Sequence, residues 1–225
     1  MNLSLGIYDV FANAVPGALY LLLGVYLGVR FGWVTVDDLA GLDSTLALLG
    51  ALVASYLLGQ VLATSLRGLV DRTGLWGTST ADVRVEFRRR NPTVAHRPFV
   101  DADPYTLLAG LRQVSPESAA EVDRSRAAGI MMRSAVPALL LGAVVALVEA
   151  VVRGEPAALL VAAALVALAA LALREGQTRN RWARIHTYEC AAWMPDVEAR
   201  LSMPPTAPAA PAGPPTPTAS RSSGA

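Results

Sequence analysis

The sequence predicts an all-α, polytopic membrane protein with four transmembrane helices, and three observations carry that prediction. Of its 225 residues, 53% are hydrophobic and only 16% are charged, against roughly 25% charged in an average soluble domain. Four stretches approach or exceed the ~20 apolar residues that cross about 30 Å of hydrocarbon. Basic residues crowd alternate connections between those stretches and are sparse in the others, the asymmetry of an inserted chain. Composition also excludes function classes. The single Cys190 rules out a disulfide framework and a four-cysteine zinc site, and a net charge of +1 gives no bulk attraction for nucleic acid.

The first span lies between Asp9 and Arg30 and the second between Asp43 and Arg67, both free of charged side chains. The third begins after Arg133 and reaches Val152, with Glu149 near its far end. The fourth, Pro156 to Leu173, is short and Ala-rich, so it needs the third helix as a packing partner to insert well. Arg153-Gly154-Glu155-Pro156 is a tight turn joining these two antiparallel helices. Glu149 and Arg153 stand four apart, the spacing of an intrahelical ion pair.

Between Arg67 and Arg126 the chain holds ten Arg and eight acidic residues, and four further Arg follow the last span, at 174, 179, 181 and 184. The first and third connections carry one Arg each. Basic residues near span ends mark the cytoplasmic side, so both termini are expected in the cytoplasm, with short loops outside. No cleavable signal peptide is expected, since Met1 to Asp9 has no basic residue. All basic residues are Arg and none is Lys, which reads as G+C-rich coding and suggests a bacterial plasma (inner) membrane. The predicted divisions are a first transmembrane hairpin (1–66), an Arg-rich cytoplasmic segment (67–126), a second hairpin (127–174), a juxtamembrane helix (175–203) and a disordered Pro/Ala-rich tail (204–225).

Within the central segment, residues 78–90 are ambiguous. They could form a helix ended by Asn91-Pro92, yet Val83, Val85 and Phe87 alternate with charged residues as a strand would. Pro104 to Val114 and Pro116 to Met132 read as helices, the second with Ser115 at its N-cap and Pro116 in its first turn, running on into the third span. After the fourth span a helix should continue past Trp182 to Trp193 and stop before Pro195. Its Trp182, Tyr188 and Trp193 suggest an interfacial anchor.

The two hairpins share local features. Ala14-Val15-Pro16-Gly17 parallels Ala135-Val136-Pro137-Ala138, and the exits Leu66-Arg67 and Leu173-Arg174 are each followed by a further Arg and a Trp, as in a duplicated hairpin. Pro16 and Pro137 each remove a helix hydrogen bond and are candidate hinges, or kinks of the kind membrane helices tolerate. Gly24 and Gly28 in the first helix, and Gly50, Ala54 and Gly59 in the second, form small-residue faces. Such faces let helix backbones approach closely, within one subunit or between subunits.

Asn13, Ser55, Tyr56, Gln60, Thr64 and Ser134 fall inside the spans, as lining for an aqueous path or as interhelical hydrogen-bonding groups. Arg84, Arg88, Arg89 and Arg90 form a basic cluster suited to anionic lipid headgroups, at about 1 kcal/mol per charge, or to a cytoplasmic protein partner. No catalytic residue, metal site or cofactor motif is evident. The sequence has two His and lacks a nucleophile elbow, a glycine-rich phosphate loop and a zinc-protease motif. His186 and Cys190, four apart, would supply two metal ligands without a visible third.

Arg90-Asn91 followed by His96 resembles the Arg-to-His motif of the HEPN ribonuclease family, but Pro92 interrupts it and Arg181 to His186 meets the same spacing. At whole-chain level, Tyr8-Asp9 with Pro16-Gly17, Ser55-Tyr56 with Gly59, and Met132-Arg133-Ser134 together resemble uncharacterised four-span bacterial inner-membrane proteins. That resemblance implies a membrane-effector role in stress or phage defence. The expectation is thus a self-associating, non-enzymatic membrane scaffold or signal-responsive effector, with a small oligomeric channel or transporter as the alternative. No nucleic-acid partner is expected.

Overall fold

The structure, a computed structural model, describes residues 3–35, 37, 41, 43–71 and 79–202. Among these, regular structure is helical throughout: α1 (Leu3–Arg30), α2 (Ser44–Asp71), α3 (Thr80–Arg90), a 3-10 turn (Pro98–Asp101), α4 (Pro104–Val114), α5 (Pro116–Arg153), α6 (Pro156–Ala192) and α7 (Val197–Ser202). Four helices are long and apolar enough to cross a membrane, over Val10–Arg30, Ser44–Leu62 and within α5 and α6. Arg72, Trp76 and the tail from 204 onward lie outside the described residues, as do the side chains at 8, 9 and 64.

α1 packs against both α2 and α5, and α5 runs against α6 for most of its length, while α2 touches α5 only marginally. Two glycines bring α1 and α2 together. A Cβ on Gly17 would lie 1.6 Å from the Ser55 carbonyl oxygen, and one on Gly59 would lie 1.9 Å from that of Asn13. Only hydrogen fits at these two places, so this crossing depends on glycine. Pro16, fully buried, sits beside it, and α1 and α5 continue through Pro16 and Pro137 as unbroken helices.

α5 and α6 have 38 and 37 residues, about 57 Å each at 1.5 Å per residue, nearly twice the hydrocarbon thickness. Their seam repeats every seven residues. Val122, Gly129, Val136, Ala143 and Ala150 are buried along α5, and Ala162, Ala169, Gly176 and Ala183 along α6. A seven-residue period keeps one stripe facing its partner along a left-handed supercoil, and small side chains bring the backbones close. At Gly129 and Gly176 they nearly touch: a Cβ on Gly176 would meet the Gly129 carbonyl oxygen at 3.0 Å. Gly154, in the left-handed conformation at φ 68°, closes α5 and lets Pro156 open α6.

The charged halves of these helices do not stand alone. With α3, the 3-10 turn, α4 and α7 they enclose a second core made of Val83, Phe87, Phe99, Leu107, Leu111, Val122, Ile185, Tyr188 and Val197, among others. The described parts of segments 67–126 and 175–203, residues 79–126 and 175–202, read separately in the sequence, thus share one lobe. The ambiguity at 78–90 resolves as helix. Val83 and Phe87, one turn apart, are fully buried while Val85 is 64% exposed, a pattern a strand would not produce. Ser79 caps Ala81 N–H at 3.1 Å, and Arg88, Arg89 and Arg90 lie at the carbonyl end, where positive charge is favoured.

Candidate functional site

Three polar clusters are candidates, and the first is centred on Glu86. α3 buries this residue on the same face as Val83 and Phe87, and a buried carboxylate needs partners. Its Oε1 accepts from Arg90 Nε at 2.7 Å and Arg89 Nη2 at 3.0 Å, and Arg181 of α6 stands 3.7 Å from Oε2. Hydrogen bonds from Arg90 and Arg89 hold the Glu86 carboxyl below the ordinary carboxylate range. Arg88 pairs with Asp101 at 2.8 Å. Arg84 donates to the Asp101 and Ala102 carbonyls at 2.8 and 3.3 Å and to the Tyr188 hydroxyl at 3.4 Å. Each arginine of the predicted basic cluster therefore has a partner inside the lobe. His96 is exposed in the turns after α3, and Arg90 is engaged with Glu86.

Tyr188 is not an interfacial anchor. It is fully buried, packs on Phe87 at 5.5 Å and donates its hydroxyl to the Ala102 carbonyl at 3.2 Å. Trp182 stacks on His186 at 4.7 Å, and Trp193 is 89% exposed. Burial, then the charges of Glu189 and Glu121, push the Cys190 thiol up from its ordinary pKa, and its sulfur lies 3.6 Å from His186 Nε2. Ser115 stands at the N-cap position of α5, but its hydroxyl donates to Ser118 Oγ at 2.9 Å and makes no capping bond to the helix backbone.

The second cluster is at the opposite end of the spans. Glu149 pairs across helices, not with Arg153. Its Oε1 accepts from Arg30 Nε at 2.7 Å and its Oε2 from the Tyr26 hydroxyl. α1 ends against α5 here, so an Arg from a neighbouring helix reaches the carboxylate while Arg153 stays exposed. Of the predicted packing residues, Gly59 makes the crossing contact, and a Cβ on Gly28 would meet Val34 Cγ2 at 3.6 Å. A Cβ on Gly24 or Gly50 would have nothing within 4 Å, and Ala54 is half-buried. Ser55 and Ser134 are buried between helices, and Tyr56 and Gln60 approach within 3.5 Å along α2. The contact glycines that the sequence reading did not single out are Gly17, four residues after Asn13 as Gly59 is four after Ser55, and Gly129 and Gly176 on the α5–α6 seam.

The third cluster is a small cleft where α4 meets α5 and α6, lined by Tyr105, Leu108, Arg126, Asn180, Arg184 and Thr187 among others. Arg126 lies over the Tyr105 ring at 4.6 Å from its centroid. Thr187 donates to the Ala183 carbonyl at 2.8 Å. Asn180 is 5% exposed. No group of three or more metal-ligating side chains occurs among the described residues. No family model, curated protein or solved structure matches the chain.

Proposed function

We propose that this chain is a multi-pass membrane protein that holds a cytoplasmic helical lobe against the bilayer, as a non-catalytic scaffold or signal-responsive effector. The α5–α6 seam carries this reading. The same heptad stripe that packs the apolar halves, through Ala143, Ala150, Ala162 and Ala169, continues through Gly129, Gly176 and Ala183 into the lobe. A displacement at either end is then passed along two continuous helices with no linker to absorb it. The arginine distribution supports a cytoplasmic lobe, since the opposite end holds only Arg30 and Arg153 near its span ends. Four spans then return both termini to the lobe's side of the membrane. A duplicated hairpin, with Pro16 and Pro137 at matching places, belongs to the same reading, as does self-association through the open Gly24 and Gly50 positions.

The test is the native mass of the complex extracted from its host in mild detergent, together with ion flux in proteoliposomes. A stoichiometric soluble protein and flux no greater than in empty liposomes is the expected result. Flux abolished by Gln60→Leu would establish the channel instead, and turnover of a defined substrate by the purified protein would overturn the non-catalytic reading.

A further inference from the structure

We infer that the cleft between α4, α5 and α6 is a binding site for a phosphate-bearing anion, with Arg126, Asn180 and Arg184 as its ligands and Tyr105 as its wall. Five of the lobe's carboxylates are paired with arginines outside the cleft. Glu86 takes Arg89 and Arg90, Asp101 takes Arg88, Glu198 takes Arg97, Asp123 takes Arg112, and Glu175 takes Arg179. Asp103 accepts from the Tyr105 and Thr106 N–H groups as the α4 cap. Arg126, by contrast, has no carboxylate partner among the described residues. Its guanidinium lies over the Tyr105 ring, which attracts it by the π-face and leaves the N–H donors at the guanidinium edge available.

Asn180 is the second and independent observation. It is more than nine-tenths buried, it lines the cleft, and its side-chain amide makes no hydrogen bond to a protein group among the described residues. Among the described residues, its amide atoms are not among the fully enclosed side-chain atoms that lack a partner, so the amide opens into the cleft and can donate there. A phosphate oxygen would accept from that amide and from the planar guanidinium fork, the geometry in which Arg recognises phosphate.

The helix packing accounts for the placement. A Cβ on Gly129 would meet Asn180 N at 3.2 Å, so α5 and α6 touch there. One turn further into the lobe on each helix come Arg126 and Arg184, and both line the cleft. Arg126 lies seven residues before Arg133 and Asn180 six after Arg174, the residues that bound the apolar halves. At 1.5 Å per residue Arg126 and Asn180 stand about 10 Å beyond the hydrocarbon edge and Arg184 about 15 Å, on the water side of the roughly 5–7 Å headgroup layer. Long arginine side chains at that level reach lipid phosphates, and a soluble phosphate compound reaches them from the water side.

The experiment uses the full chain in detergent with two probes. Native mass spectrometry follows retention of phosphatidylglycerol against phosphatidylcholine, and thermal shift follows protection by inorganic phosphate against chloride at equal ionic strength. Arg126→Gln and Asn180→Asp should each weaken binding about tenfold or more, the worth of one charge-assisted hydrogen bond, while Arg88→Gln, outside the cleft, leaves it unchanged. Loss of phosphatidylglycerol retention identifies a lipid headgroup as the source, and loss of phosphate protection alone identifies a soluble one. The inference is overturned if neither probe binds the wild type, or if Arg88→Gln weakens binding as much as Arg126→Gln. Unchanged amide-exchange protection in the lobe of each variant separates loss of binding from loss of fold.

Discussion

Phe87→Ala tests whether the lobe is a cooperative unit distinct from the spans. Phe87 is fully buried and contacts Phe99 at 6.2 Å and Tyr188 at 5.5 Å between ring centroids, so truncation removes a side chain on which three elements converge. Phe→Ala at such a site costs about 3–5 kcal/mol, the transfer term plus the cavity left behind. Since 1.4 kcal/mol is roughly tenfold in an equilibrium constant, the opened lobe should become a hundredfold to several thousandfold more populated. Amide hydrogen exchange read by mass spectrometry follows that population directly. One helix supplies both the test and its control. Peptides covering Ala183 to Ala191, beside the aromatic core, should exchange faster by that factor, while Ala162 to Ala169, on the same helix within the apolar half, should stay within about twofold. Acceleration of less than tenfold at 183–191, or equal acceleration in both halves, would refute the reasoning.

Gly59→Ala places a Cβ 1.9 Å from the Asn13 carbonyl oxygen, whereas Gly24→Ala meets nothing within 4 Å. The first should cost about 1–3 kcal/mol or more by forcing α1 and α2 apart and the second almost nothing, read as heat-induced loss of the monodisperse peak in mild detergent. Equal losses would show that the α1–α2 crossing is not as described. Because Arg90 and Arg89 depress the folded Glu86 pKa, its contribution is present above the unfolded value and is lost as pH falls through the folded one. Lobe stability should therefore drop as pH falls below the ordinary Glu value of about 4.3, and Glu86→Gln should flatten that drop in a pH series of melts. Burial raises the Cys190 thiol, so its alkylation rate should rise with pH through a midpoint above the ~8.5 of a free thiol. A midpoint at or below that value would mean the thiol is not held in the core.

The four apolar helices, the Gly154 turn and the continuation of α5 and α6 beyond the apolar halves were legible in the sequence. They follow from local quantities: the run of uncharged residues, a left-handed turn that favours glycine, and the absence of a breaker between Pro116 and Arg153 that the helix could not carry. The seven-residue spacing of Gly129, Val136, Ala143 and Ala150 was also present to be read, but in an Ala-rich chain only packing distinguishes a buried alanine from a lipid-facing one. Tertiary structure decided everything that depends on which surfaces meet. Val83 and Phe87 fit a strand or a helix until the Tyr188 and Phe99 rings are set against one face. Glu149 has Arg153 at pairing distance along its own helix, yet the end of α1 brings Arg30 and Tyr26 closer. The pairings of Arg84 and Arg88 with Asp101, Ala102 and Tyr188, and the approach of Arg181 to Glu86, are contacts between separate elements. Periodicity and span length are sums over neighbouring residues and can be read from one dimension. Charge pairing and the burial of Asn180 arise from contacts across the chain, which only the folded arrangement specifies.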